Sequence, residues 1–256
     1  MNNYLETAVT AARAAGDLIR AHFGQSLTVQ AEEAHDIKLE LDVRAQELIS
    51  GLLLKEFPSH RIIGEEGPAA KTHVSSDQLV WVIDPIDGTV NFFYNVPHFC
   101  ISIALQQGGR TLVGVIFDPI KDELWTVAED QPPQLNERPF RVSNRSALSE
   151  AIVSVGFSKT ARAIELGLRT FNSMICKARK CRMMGSAALD LAYVACGRFD
   201  AYIEKNVNLW DVAAGAFLVE AAGGTVEIAP SPLETGKLAI VATNGKIHLE
   251  LKEEMI

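Results

Sequence analysis

The chain is short of the features that mark nucleic-acid, membrane and secreted proteins. There is no basic excess: 24 Lys and Arg stand against 32 Asp and Glu, a formal charge of −8 over 256 residues. Nucleic acid and anionic membrane surfaces are therefore not expected partners. The apolar runs fall well below the ~20 residues that a helix needs to cross a bilayer. The opening residues, Met1-Asn2-Asn3-Tyr4-Leu5-Glu6, lack a basic stretch followed by an apolar one, so no targeting segment is expected. The four cysteines, Cys100, Cys176, Cys181 and Cys196, form no C-x-x-C pair and no Cys/His cluster with zinc spacing. They are expected to be small buried fillers in a reduced, cytoplasmic setting. No repeat and no low-complexity tract interrupts the chain.

What is present is an apolar fraction of 48% with 22% charged residues, the balance of a globular protein with an ample core. Apolar residues at helical spacing predict helices over Leu5–Phe23 and Leu41–Phe57, the latter stopped by Pro58. Arg61–Gly64 reads as a short strand, residues 67–78 as a polar loop. Strands are predicted at Leu79–Ile83, Phe99–Gln106, Thr111–Phe117 and Glu123–Ala128, with Asp130–Arg138 as an exposed connection. Downstream, strands are predicted at Ala151–Val155, Phe199–Ile203, Gly224–Ile228 and Leu238–Ala242. Helices are predicted over 161–178 and 186–196 and at Val212–Ala222. Long helices alternating with strands and hairpins imply a layered α/β or α+β fold.

The stretch Val80-Trp81-Val82-Ile83-Asp84-Pro85-Ile86-Asp87-Gly88-Thr89 carries the clearest chemistry. A buried strand delivers Asp84 to its carboxyl end, where open α/β sheets place ligands. Asp84, the Ile86 carbonyl and Asp87 are hard oxygen donors suited to divalent cations. Gly88 lets backbone approach closely, and its N–H with that of Thr89 can take a phosphate oxygen. Asp-Pro also begins ordinary turns, and the chain contains a control: Asp118-Pro119-Ile120-Lys121-Asp122 has Lys121 where the first copy has Asp87, and no Gly-Thr. That copy is read as a plain hairpin turn. Two further acidic sites bracket the motif. Glu65-Glu66 follows a strand, a position equally suited to a solvated loop pair. Asp211 opens an apolar helix, a position equally suited to a helix cap.

Glu65-Glu66, the run from Trp81 to Phe92 and the segment Trp210-Asp211-Val212-Ala213-Ala214-Gly215, in this order and at these separations, resemble the inositol monophosphatase family over essentially the whole chain. The resemblance implies a layered αβαβα sandwich of the sugar-phosphatase type. It implies a magnesium-dependent, lithium-sensitive phosphomonoesterase, usually a homodimer, that hydrolyses its substrate with a metal-activated water. By the same resemblance Glu65, Asp84 and the Ile86 carbonyl hold one Mg2+, and Asp84, Asp87 and Asp211 a second. Gly88 and Thr89 cradle the phosphate, and Thr89 with Asp42 helps to activate the water. Arg182 and Gly185-Ser186-Ala187 line the alcohol side, and Glu204 contacts substrate hydroxyls.

Departures from the family pattern bear on a third Mg2+: Leu39 stands where Thr is usual and Ala31 near the usual Lys. Asn91-Phe92 and Glu204 favour an inositol phosphate. Histidinol phosphate, fructose 1,6-bisphosphate and nucleotide 2′- or 3′-phosphates are the alternatives within the family. A non-catalytic metal- or anion-binding protein on the same fold is the alternative outside catalysis. The chain is expected to be a single phosphatase unit, with an N-terminal lobe of about residues 1–145 carrying the metal and phosphate motifs. A C-terminal lobe of about 146–256 would carry the substrate side and the last metal ligand.

Overall fold

Two amphipathic helices open the chain, as the periodicity predicts. In the computed structural model, which describes residues 2–33, 36–66 and 77–253, α1 (Asn2–His22) buries Ala8, Ala11, Ala12, Ala15 and Ile19. α2 (Glu40–Glu56) buries Leu41, Ala45, Ile49 and Leu53. Spacings of three and four put each set on one stripe. Between them, β1 (Val29–Glu33) and β2 (Asp36–Leu39) pair antiparallel. Residues 67–76 of the segment read as a loop lie outside the described residues.

The next strands form a seven-stranded sheet in chain order: β3 (Arg61–Gly64), β4 (Leu79–Asp87), β5 (Cys100–Gln107), β6 (Arg110–Asp118), β7 (Glu123–Ala128), β8 (Gln131–Leu135) and β9 (Arg138–Pro139). Only β3 and β4 pair parallel; the remaining neighbours are antiparallel. A five-residue helix, α3 (Thr89–Phe93), leaves the end of β4. The second sheet has five strands, in the order β11 (Lys180–Arg182), β10 (Ile152–Val155), β12 (Ala201–Val207), β14 (Leu238–Thr243), β13 (Thr225–Pro230). The remaining helices are α4 (Ala161–Ile175), α5 (Ala187–Ala195), α6 (Leu209–Ala221) and α7 (His248–Glu253).

Side-chain alternation along the strands assigns the layers. Trp81, Ile83, Ile101, Ile103, Val115 and Phe117 pack under α1 and α2. Val80, Val82, Ala104, Ile116 and Trp125 face the other way, onto α5 and α6. Those two helices also cover Tyr202, Val207, Ile240 and Ala242 of the second sheet. Its far face, with Val153, Val155, Ala201 and Ile203, packs on Met174 of α4 and Leu251 of α7. The order is thus helices, sheet, helices, sheet, helices: the five-layered αβαβα sandwich that the resemblance implies. β4 reads as an unbroken apolar run because both of its faces are covered.

Two expectations change. Asp130–Arg138 is not an exposed connection; it supplies β8 and β9. β8 pairs with β7 through Trp125↔Leu135, Thr126↔Gln134 and Ala128↔Gln131, with an irregularity between Thr126 and Ala128. Pro132 and Pro133 have no N–H to donate, and they sit opposite that irregularity, where a strand tolerates proline. The cysteines are not all buried: Cys100 is, Cys181 and Cys196 are half-buried, and Cys176 is exposed; all four are free thiols. Among the described residues no helix is long and apolar enough to cross a membrane.

Candidate active site

The two carboxylates of the central motif are aimed by a β-bulge. A regular strand would send Asp84 and Asp87, three residues apart, to opposite faces. The register against β5 shifts between them: Asp84 stands opposite Ser102 and Asp87 opposite Cys100. Ser102 and Cys100 share one face of β5, so one extra residue at Pro85–Ile86 brings both acids onto that face. It is the face that looks toward α5 and α6. Pro85 suits the bulge, having no ladder N–H to lose.

Each acid is then held differently. Asp84 Oδ1 accepts the Ile86 N–H at 3.1 Å, and its carboxyl lies close enough to Glu65 on one side and Asp211 on the other for each to act on its charge. Asp87 is gripped by the start of α5: Oδ2 accepts Ser186 Oγ and the Ala188 N–H, each at 2.6 Å, and Oδ1 accepts the Ala187 N–H at 3.3 Å. Anions are favoured at a helix N-terminus. Asp211 is the third residue of α6, and its Oδ2 accepts the Asn208 N–H at 2.8 Å. Glu65 follows β3, with its N–H on the Ile83 carbonyl of β4 at 3.2 Å. Gln46 of α2 clamps the adjoining turn by accepting the Glu66 N–H at 2.9 Å and donating to the Glu66 carbonyl.

The four acids line one cavity of about 450 Å³, together with Ile86, Gly88, Thr89, Gly185, Ser186, Ala187 and Glu204. Gly88 adopts φ +101°, and a Cβ there would come within 3.0 Å of the His98 carbonyl, so only glycine turns β4 into α3 at this point. The Thr89 hydroxyl donates to the Ile86 carbonyl at 2.9 Å. Asn91 fixes the opposite wall, donating to the carbonyls of His98 at 2.8 Å and Met184 at 2.9 Å. Two residues named from the sequence lie off the cavity lining. Arg182 is exposed and donates to the Cys181 carbonyl at 3.0 Å. Asp42 is buried at the third position of α2, where its Oδ2 accepts the Leu39 N–H at 2.8 Å; its charge is nonetheless felt at Asp84.

The hairpin copy gives the contrast. Asp118 is also buried, but its Oδ1 accepts two N–H groups, of Ile120 and Lys121, each at 2.9 Å, and its Oδ2 takes the Lys121 ammonium at 2.6 Å. It is a closed turn with its own counter-ion. Asp84 makes the corresponding bond to Ile86 but faces other acids instead of a lysine.

The electrostatic consequence is a set of carboxyls that resist ionisation. Burial, then Asp211, pushes Glu65 up to about 7. Burial pushes Asp87 up to about 6 against the stabilising bonds of Ser186 and Ala188, and burial with Asp87 nearby pushes Asp211 to about 6. Asp84, at the centre, is held well above the usual carboxylate range: burial is joined by repulsion from Glu65, Asp87, Asp211 and Asp42. A divalent cation would relieve that repulsion, and an all-oxygen donor set suits magnesium. Among the described residues no three His, Cys, Asp or Glu side chains are already spaced around an ion, so the site offers donors and charge, not a closed cage.

These shifts have a stability signature. Each acid binds its proton more tightly folded than unfolded. Its contribution is full below about pH 4 and is lost as pH rises through about 6 for Asp87 and Asp211 and about 7 for Glu65. The metal-free protein is expected to melt lower at pH 7.5 than at pH 5, and magnesium chloride to raise Tm more at pH 7.5. Calorimetry in chelator and in magnesium checks both signs.

A five-layered sandwich with acids from a bulged strand, a neighbouring strand end and a helix start, all facing one cavity, defines a layered α/β protein of the sugar-phosphatase type. The sequence profile of the inositol monophosphatase family matches residues 1–255. Inositol monophosphatase 1 of Solanum lycopersicum is 38% identical over 249 residues, covering 95% of this chain and 91% of its own. The Nus factor SuhB of Xylella fastidiosa is 42% identical over 221 residues, covering 85% and 79%. The crystal structure of the extragenic suppressor protein suhB from Bartonella henselae superposes with a TM-score of 0.88 at 32% identity, over 98% of this chain and 97% of that one. The chain belongs to the inositol monophosphatase family, a metal-dependent family of phosphatases.

Proposed function

We propose that the protein hydrolyses a small phosphate monoester with magnesium, and that its substrate is a polyol monophosphate, myo-inositol monophosphate before others. The observation that carries this reading is the bulge at Pro85–Ile86, which turns Asp84 and Asp87 to the side where Glu65 and Asp211 arrive. Glu65, Asp84, the Ile86 carbonyl, Asp87 and Asp211 would hold two ions. Bound magnesium supplies charge that neutralises phosphoryl oxygens and lowers the pKa of an attacking water. The N–H groups of Gly88 and Thr89 donate to a phosphoryl oxygen, and their fixed orientation favours the transition-state charge. The Thr89 hydroxyl, anchored on Ile86, orients the water, with Asp42 contributing negative charge behind Asp84. Glu204 and the Gly185-Ser186-Ala187 segment receive the leaving alcohol. Inhibition by lithium belongs to the same reading, as does a cytoplasmic setting, which the four free thiols favour.

A homodimer is part of the proposal. Val90, Tyr94, Val96 and Met183 are exposed apolar side chains on α3, the loop that follows it and the segment that Asn91 ties to it. Light scattering at twice the monomer mass supports this; a monomer at micromolar concentration contradicts it.

Some relatives carry the name Nus factor SuhB and not that of a phosphatase, and the second reading is a non-catalytic metal- or anion-binding protein on the same fold. One panel separates the two. Phosphate release from inositol, histidinol, fructose and nucleotide phosphates is measured with magnesium and with chelator. Magnesium-dependent release greatest for inositol phosphate supports the proposal, and no release from any member supports the binding role.

A further inference from the structure

On the alcohol side of the cavity the second sheet presents an unusual buried cluster. Tyr202 and Glu204, two residues apart on β12, point to the same side of the strand. Tyr202 is only 1% exposed and Glu204 8%. The Tyr202 hydroxyl donates to Glu204 Oε2, so a buried phenol and a buried carboxyl satisfy one another. The adjoining strand makes room for this pair. Gly156 follows β10, and its N–H bonds the Ile203 carbonyl at 2.9 Å. A Cβ at 156 would overlap the Glu204 carboxyl and come within 2.7 Å of the Tyr202 hydroxyl. Behind them Ser154, which stands opposite Tyr202 in the sheet register, donates to Asp190 at 2.6 Å. Gly156, Asp190, Tyr202 and Glu204 all line the cavity.

We propose that Tyr202 is a positioning residue for Glu204, and that the pair, seated against the bare backbone of Gly156, selects leaving alcohols that carry adjacent hydroxyls. With Oε2 engaged by Tyr202, the carboxyl is fixed in rotation and offers Oε1 in a single direction. A fixed acceptor in a buried wall discriminates strongly for a hydroxyl and against an alcohol lacking one, because the unmatched acceptor is left without a partner. Without the phenol hydroxyl, Glu204 is free to rotate and the discrimination weakens. The substrate part of this inference rests on the phosphomonoesterase reading of the cavity; the positioning of Glu204 does not.

Tyr202→Phe keeps the ring in the core and removes only the hydroxyl. Its KM for myo-inositol 1-phosphate is expected to rise roughly tenfold. Turnover of p-nitrophenyl phosphate, whose leaving group has no further hydroxyl, is expected to stay within about twofold. In a cycle with Glu204→Gln the double variant is expected to lose no more than Glu204→Gln alone. Gly156→Ala is expected to reproduce the same split between substrates. Equal losses on both substrates, or additive losses in the cycle, would overturn the selection claim. Diffraction from Tyr202→Phe crystals reads the positioning directly: a displaced or doubly placed Glu204 carboxyl supports it, and an unmoved one overturns it. A wild-type protein that cleaves p-nitrophenyl phosphate but not inositol phosphate would sink the polyol reading while leaving the crystallographic result to decide the positioning.

Discussion

Asp84→Asn is expected to cut magnesium-dependent phosphate release by ~10³-fold or more, the scale of losing charge stabilisation in phosphoryl transfer. The same change is expected to raise the melting temperature in chelator. The two signs have one cause. Asp84 is buried among Glu65, Asp87, Asp211 and Asp42, and each raises its pKa by repulsion. An amide keeps the bond from the Ile86 N–H to the side-chain oxygen but removes the central negative charge. The protein therefore gains stability where it loses function, as expected of a site whose acids are held together for a ligand. Parallel assays of activity and of Tm in chelator check it. Loss of activity with a lower Tm would make Asp84 a structural residue, and retained activity would remove it from the metal site.

Asp200→Ala is expected to destabilise the fold by ~2–3 kcal/mol, the cost of leaving buried donors without their acceptor; the Arg145 side chain, 36% exposed, can turn to water and adds little. Asp200 is fully buried, and both its oxygens accept from Arg145 Nε, at 2.7 and 2.8 Å. Its Oδ2 also takes the Ile152 N–H at 2.7 Å, and Ser143 and Asn244 donate to Oδ1. Arg145 continues to the Gly197 carbonyl at 2.8 Å. These bonds fasten the segment linking the two sheets to β10 and to the turn after β14. Removing the carboxylate leaves the Ile152 N–H and the Ser143 and Asn244 donors short of an acceptor at once. Urea midpoints at fixed slope measure the loss, and activity under folding conditions is expected to change little, since Asp200 is not among the residues lining the cavity. A change below about 1 kcal/mol, the range of an exposed pair, would contradict this account.

Much of the architecture was legible because it follows simple periodicities. α1 and α2 repeat their buried alanines and leucines every three or four residues, and β4 announces burial on both faces as an unbroken apolar run. The features missed are those with weak local signals. α3 is only five residues long, too short to show a period. β8 contains Pro132-Pro133, which reads as a breaker until the irregularity opposite it is seen. Within the candidate site, the acid types and their order in the chain were readable, but their convergence was not. The three-residue spacing of Asp84 and Asp87 argues for opposite faces, and only the register shift against β5 reverses that. The grip of Ser186 and Ala188 on Asp87 joins residues about a hundred positions apart, which no local pattern reveals. The contact of Tyr202 with Glu204 was implicit in the strand alternation. It acquires meaning only with Gly156, brought in from another strand.

The central claim is that the carboxylates around Asp84 recruit magnesium to hydrolyse a phosphate monoester. Phosphate released from myo-inositol 1-phosphate, followed as magnesium is titrated from chelator upward, tests it most directly. The predicted result is release that rises from background with magnesium and disappears in Asp84→Asn. Release that persists undiminished in chelator, or that survives in Asp84→Asn, would contradict it.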